Sequence, residues 1–330
     1  MSQSPRHIVI SDQEHALPYS KGLMASSIMA TGLAPARAFH VAERIEERLH
    51  ERPSDAITRA ELLELAREVL TVEVGPRYAE SFAKWQVVNQ IDRPLVILIG
   101  GATGVGKSTV ATQLAGRLGI TRIIPTDAIR EVMRAMFSEQ LMPTLHTSSF
   151  DATHLVRHPV PRNVDPVIIG FREQAAAVAV GVQALIRRAM VEGTDLILEG
   201  AHLVPGFVDP ALFTDAVVVP LIITVDDEEV HRSHFSMRAH ESRGRPSERY
   251  LDFFDNIRKI QRYVKSLALE RSVPIVPSYN LDATLSQVIE LVVSQAVEAI
   301  PSMNGARSPA RYGVRLAVGR EATIRRTDNR

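Results

Sequence analysis

Residues 101 to 108 read Gly-Ala-Thr-Gly-Val-Gly-Lys-Ser, a full match to the phosphate-binding pattern G-x-x-x-x-G-K-[ST]. No other stretch restricts the possible folds as much, because the pattern works only between a strand and a helix. Before it stands a bare apolar run, Leu95-Val96-Ile97-Leu98-Ile99, which reads as a buried parallel strand. After it, Thr109 to Leu118 carries Val110, Ala111, Leu114, Ala115 and Leu118 at helical spacing, and Gly119 marks the stop. In this setting glycines let backbone N–H groups turn around phosphate oxygens, and the helix N-terminus adds a positive dipole end. Gly101, Ala102, Thr103, Gly104, Val105, Gly106, Lys107, Ser108 and Thr109 are therefore the nucleotide-binding residues, for ATP or GTP. Lys107 is placed to reach the β/γ-phosphates, and the Ser108 hydroxyl to hold Mg²⁺.

Composition narrows the chemistry further. The 330 residues include no cysteine, which excludes disulfides, thiolate metal sites and a cysteine nucleophile. Basic and acidic residues balance at 38 each, so no global field draws the chain to nucleic acid or membrane. The first residues lack the apolar stretch of a signal peptide, and the run Ala216 to Val225 is too short to span a bilayer; a cytoplasmic protein is expected. Only five lysines stand against 33 arginines, so arginine abundance says little about any one site, whereas a lysine at the loop position is informative.

Three segments follow. Residues 1–90 read as a small, mostly helical unit: a short strand at His7–Ile10, a helix with Phe39, Ala42, Ile45 and Leu49 on one face, and a helix opened by the capping box Thr58-x-x-Glu61. Gly75-Pro76 breaks that helix, and Tyr78, Phe82 and Trp85 form an apolar stripe on the next, suited to core or interdomain packing. Asn89 to Pro94 is a linker. Residues 93–300 alternate βαβα, with strands expected at Leu95–Ile99, Arg122–Pro125, Leu196–Glu199, Val217–Val225 and Val273–Val276, and a long helix over Glu173–Val191 closed by Gly193. This predicts an α/β fold with a five-stranded parallel sheet covered on both faces. Residues 301–330 carry scattered arginines without apolar pattern and read as a disordered basic tail with no nucleic-acid-reading motif.

Ligands of such sheets bind beyond the carboxyl ends of the strands, so the polar residues there are the candidates. Asp127 follows the second strand, placed either to take the proton of an attacking hydroxyl or to cap the next helix; Arg130 and Arg134 on that helix face an anionic acceptor. Glu199 ends the third strand, placed to hold Mg²⁺ through water or to position the acceptor. Asp195 lies at that strand's opposite end. After the fourth strand, Arg238, Arg243 and Arg245 around Gly244 form either a lid over the phosphates or a solvated charged hairpin. The irregular stretch Leu141–Phe150, with Ser148 and Ser149, then Arg157 and Arg162, is where a two-substrate kinase carries its acceptor site. His154 and His158 lack the third ligand a zinc site needs. A small-molecule kinase and a nucleotide-sensing protein without an acceptor both fit the loop; the strand-end carboxylates favour the kinase.

These residues resemble a known family. The loop Gly100 to Thr109, the run Ile123-Ile-Pro-Thr-Asp-Ala-Ile-Arg-Glu-Val-Met-Arg134, His146-Thr-Ser-Ser-Phe150 and Leu198-Glu-Gly-Ala-His-Leu-Val-Pro205 are similar to the 2-phosphoglycerate kinases, over about residues 93 to 300. The resemblance implies a P-loop kinase fold, ATP and Mg²⁺, and transfer to the free hydroxyl of 2-phosphoglycerate, a small anionic acceptor whose phosphate and carboxylate suit fork-shaped arginines. It also implies that the N-terminal unit is a diverged ATP-cone, although Ser11-Asp12-Gln13-Glu14 stands where cones carry basic residues.

Overall fold

The computed structural model describes residues 8–11, 16–152, 165–241 and 247–299. Within them, β4 (Leu95–Gly100) is the centre of a five-stranded sheet. Its neighbours are β6 (Leu196–Glu199) and β7 (Val217–Thr224), with β5 (Ile123–Pro125) and β8 (Ile275–Pro277) at the edges. Every pairing is parallel, and the register aligns Ile97 with Ile197 on one side and Val219 on the other. The order β5-β6-β4-β7-β8 is that of a P-loop kinase fold, and it opens a crevice beyond the carboxyl ends of the adjacent strands β4 and β6, whose onward connections leave in opposite directions.

The bare apolar run of β4 follows from this position. All six of its residues are buried because both faces of the sheet are covered. Ile97 and Ile99 pack with Val110 and Leu114 of α5 (Lys107–Leu118), Ile260 and Val264 of α10 (Phe254–Glu270) and Val288 and Val292 of α11 (Leu281–Glu298). Val96 and Leu98 face the other layer, with Ile129 of α6 (Thr126–Met136) and Val178, Val182 and Ile186 of α7 (Pro166–Glu192). Each such side chain contributes about 1.5–3 kcal/mol by leaving water. Helix α7 is long and apolar enough to cross a membrane by length and composition, but its apolar face is spent on this core. It begins earlier than the spacing predicts, at Pro166 behind the Asp165 cap, and closes on left-handed Gly193 as expected. Between β7 and α10 lie α8 (Glu228–Glu241) and α9 (Ser247–Asp252).

The N-terminal unit has its own core, with Ile28, Ile45, Leu49, Leu70 and Phe82 fully buried. Its helices are α1 (Lys21–Met29), α2 (Pro35–His50), α3 (Arg59–Glu73) and α4 (Pro76–Val88). The capping box at Thr58 forms as the sequence predicts. Two features differ from expectation. The strand at the start is one of three, β1 (Val9–Ser11) between β2 (Ala16–Pro18) and β3 (Ala56–Thr58). And Phe39 points outward at 48% exposure, because the buried face of α2 is set by Ala38, Val41, Ala42, Ile45 and Leu49.

The two units share a helix. Ala79 and Phe82 of α4 belong to the N-terminal core, whereas Trp85 and Val88, three and six residues on, belong to the core of the large sheet, as does Ala30. Arg117, buried at the end of α5, donates to the carbonyl of Gly32 (3.3 Å) and lies 3.5 Å from Asp282 of α11.

Candidate active site

The phosphate-binding loop leaves β4 and enters α5 through Gly106, whose left-handed backbone is the helix N-cap. Gly104 is required twice over. Its φ is +89°, and a Cβ there would lie 2.3 Å from the ring of Phe235. Phe235 belongs to α8, which grips the loop from outside with two imidazoles. His231 Nε2 donates to the Thr103 carbonyl (2.8 Å) and His234 Nδ1 to the Gly104 carbonyl (2.9 Å). Holding carbonyls outward leaves the N–H groups of the same peptides turned toward the phosphate position. His231 is fully buried, and that burial pushes its pKa down to about 4, so the ring is neutral; Arg258 beside its Nδ1 acts in the same direction. Sequence reasoning did not single out these histidines as loop supports, because their partners lie 128 and 130 residues away in the chain.

Lys107 is buried in the first turn of α5, and its ammonium donates to the Ala102 carbonyl at 2.7 Å, curled over the loop. Ser108 starts the exposed edge of that helix and its hydroxyl donates to Glu199 Oε1 at 2.9 Å. Glu199, 7% exposed, is therefore brought to the loop by the pairing of β6 with β4. A hydroxyl and a single carboxylate in contact form the hard oxygen pair that Mg²⁺ takes when substrate phosphates and water supply its other ligands. Among the described residues no cluster of three or more acidic, histidine or cysteine side chains stands ready to hold a metal, so a dedicated protein cage is not what this pair belongs to. Asp195 bonds the Leu95 amide at 2.8 Å, at the opposite end of the sheet from Glu199.

Asp127 sits in the first turn of α6 with its carboxylate 61% exposed. It does not cap the helix: Pro125 occupies the N-cap and no side chain bonds there. The preceding Thr126 is fully buried and bonds His202 Nδ1 at 2.8 Å; His202 Nε2 in turn lies 3.0 Å from Gln174 Oε1. Burial lowers the His202 pKa to about 4, while the charges of Asp127, Arg130 and Lys107 all bear on the ring.

Other candidates fall differently. Arg130 is 14% exposed and its guanidinium is engaged with protein: it donates to the carbonyls of Leu145 (3.3 Å) and Thr147, pairs with Glu131, and lies 3.8 Å from Asp127. Arg134 is 46% exposed and paired with Glu131 at 3.4 Å. Ser148 and Ser149 are half-buried in the turn before Phe150. Arg157, Arg162, Arg243 and Arg245, the side chain of Arg238, Asp12, Gln13 and Glu14, His154 and His158, and the tail after Pro301 lie outside the described residues.

No family model matches the chain. It is 39% identical over 290 residues to the 2-phosphoglycerate kinase of Methanothermobacter thermautotrophicus, an alignment covering 88% of this chain and 94% of the relative. The 2-phosphoglycerate kinase of Methanopyrus kandleri is 35% identical over 294 residues, 89% of both chains. That of Thermococcus kodakarensis is 37% identical over 284 residues, 86% of this chain and 96% of the relative. These alignments are longer than the segment 93–300 alone. Among solved structures, a shikimate kinase from Acinetobacter baumannii in complex with shikimate aligns with 64% of this chain and 97% of its own, at 12% identity and a TM-score of 0.36.

Proposed function

The chain belongs to the 2-phosphoglycerate kinase family, and on that footing we propose that it transfers the γ-phosphoryl group of ATP to the free hydroxyl of 2-phosphoglycerate, giving 2,3-bisphosphoglycerate and ADP. The observation that carries this reading is the meeting of loop and carboxylate. Ser108 of the phosphate loop touches Glu199 of the neighbouring strand, in a chain whose relatives at 35–39% identity bear that name.

In this reading the loop amides and Lys107 hold the β- and γ-phosphates, Lys107 exchanging the Ala102 carbonyl for phosphate oxygen. The Ser108–Glu199 pair would hold Mg²⁺, which would offset charge on the phosphates. Asp127 stands at the start of α6, exposed and free of a capping role, and takes the proton of the acceptor hydroxyl. A bond forms from that oxygen to the γ-phosphorus, the bond to the β,γ-bridging oxygen breaks, and its electron pair leaves with ADP. Ser148, Ser149, Arg134, Arg157 and Arg162 are assigned to the acceptor, and Arg238, Arg243 and Arg245 to closing over the phosphates. Arg130 is assigned to the acceptor side as well, where its Nη1 already donates to two carbonyls of that segment and its Nε makes no hydrogen bond.

The test is ADP release with and without 2-phosphoglycerate, with the product identified by phosphorus NMR. Acceptor-dependent turnover and a bisphosphorylated product are expected. Slow hydrolysis indifferent to the acceptor would instead identify a nucleotide sensor.

A further inference from the structure

Glu199, Gly200 and His202 leave β6 together, but only the first has a place in the chemistry above. We propose that His202, with Gln174, is a positioning residue: it locks the acceptor-side segment Pro143–Ser149 to the two carboxylates Asp127 and Glu199. The proposal rests on the kinase reading for what the segment binds, and on geometry alone for what holds it.

The ring of His202 is 1% exposed, and both its nitrogens are used. The Gln174 oxygen can only accept, so Nε2 carries the proton, and Nδ1 is left to accept from the Thr126 hydroxyl. Gln174 comes from α7 and is fully buried; its amide donates to the carbonyls of Thr144 and, at 3.1 Å, Thr147. Arg130 comes from α6 and donates to the carbonyls of Leu145 and Thr147. Two helices thus grip the same short segment by its carbonyl groups, and the line of bonds from it runs through His202 to Thr126.

Both ends of that line stop one residue short of the site. Thr126 precedes Asp127, and Thr147 precedes Ser148. The exit of β6 is pressed onto the same threonine: Gly200 has φ +153°, and a Cβ there would lie 1.8 Å from Thr126 Oγ1. The residue after Glu199 thus packs directly on the residue before Asp127, and His202 extends that frame to the acceptor segment. Apolar side chains would fill the same space without the cost of desolvating an imidazole and a carboxamide, but they would not fix the register of backbone carbonyls.

The two halves of the line can be cut separately in the full-length protein. In His202→Asn the amide oxygen takes the place of Nδ1 and keeps the Thr126 bond, but nothing reaches Gln174. In His202→Gln the amide nitrogen takes the place of Nε2 and keeps the Gln174 bond, while Thr126 loses its acceptor. His202→Asn is expected to raise the KM for 2-phosphoglycerate about tenfold or more with the KM for ATP unchanged. His202→Gln is expected to lower kcat by a similar factor with the acceptor KM held. Amide hydrogen exchange of residues 143–149 should accelerate in His202→Asn while that of residues 101–108 does not, a measurement that needs no acceptor. Unchanged exchange in the segment, or a rise in both KM values together, would overturn the proposal. If the unsubstituted protein fails to phosphorylate 2-phosphoglycerate, the kinase reading falls and the exchange measurement still decides the role of His202.

Discussion

At the scale of single residues, Lys107 is held ready rather than free. Its ammonium rests on the Ala102 carbonyl at 2.7 Å, inside the loop it is to serve. Lys107→Ala should therefore abolish phosphoryl transfer while leaving the thermal midpoint near that of the parent, because the carbonyl it releases belongs to a loop also held by His231 and His234. Activity retained in a folded variant would remove Lys107 from the mechanism. Asp127 makes a sharper case, since it caps nothing and is largely exposed, so little folding free energy rests on it. Asp127→Asn is expected to lower kcat roughly a hundredfold or more with nucleotide affinity preserved. An unchanged rate would assign the proton to another group. Glu199→Gln removes the charge facing Ser108 and should raise the Mg²⁺ concentration needed for half-maximal turnover. A normal metal titration would contradict that placement.

At the scale of elements, the loop and α8 act as one body, and Gly104 is where they meet. Gly104→Ala places a methyl group 2.3 Å from the Phe235 ring at a φ of +89°. The Phe235 ring is itself stacked on Tyr250 at 5.2 Å and has little room to give. The substitution is expected to push α8 off the loop and weaken ATP binding by at least about tenfold in an equilibrium titration. Undiminished affinity would show that the imidazole contacts of α8 are dispensable. Much of this architecture is legible in the sequence, for a physical reason: strands buried on both faces leave bare apolar runs, and Gly119 and Gly193 end their helices in the left-handed conformation only glycine adopts easily. β2 and β3 are not legible: unlike the equally short β1, β5 and β8, neither contains two adjacent branched apolar residues. Nor are the supports of the site. Thr126, Gln174, His202, His231 and His234 are ordinary polar residues in the sequence, and their partners lie 27 to 130 residues away. Arg130 illustrates the limit: its spacing along α6 is compatible with an acceptor contact, but that its Nη1 also holds two backbone carbonyls 15 and 17 residues on is not readable from spacing.

At the scale of the whole molecule, two buried neutral imidazoles make stability depend on pH. His202 and His231 are both pushed from 6.5 to about 4, chiefly by desolvation. The unfolded chain binds their protons near pH 6.5 and the folded chain only near 4. Their contribution is therefore complete above about pH 6.5 and is lost as the pH falls through the folded values. Urea denaturation should show stability flat with pH above that point and declining below it, with a slope of up to about one proton from each histidine. His231→Asn should reduce the slope by up to one proton, and an unchanged slope would remove His231 as a source. The second property expected of the whole is cooperativity between the two units. Sequence suggests that residues 1–90 stand apart, but α4 places Phe82 in one core and Trp85 and Val88 in the other, and buried Arg117 ties α5 to Gly32. Neither core can open without exposing part of α4. The full chain is accordingly expected to unfold in one calorimetric transition. Trp85→Ala, which empties a site only 6% exposed, should lower the stability of that single transition by about 3–5 kcal/mol. Two separated transitions, with the midpoint of the loop-bearing unit untouched by the Trp85 substitution, would mean that the N-terminal unit folds as an independent body and that α4 belongs to it alone.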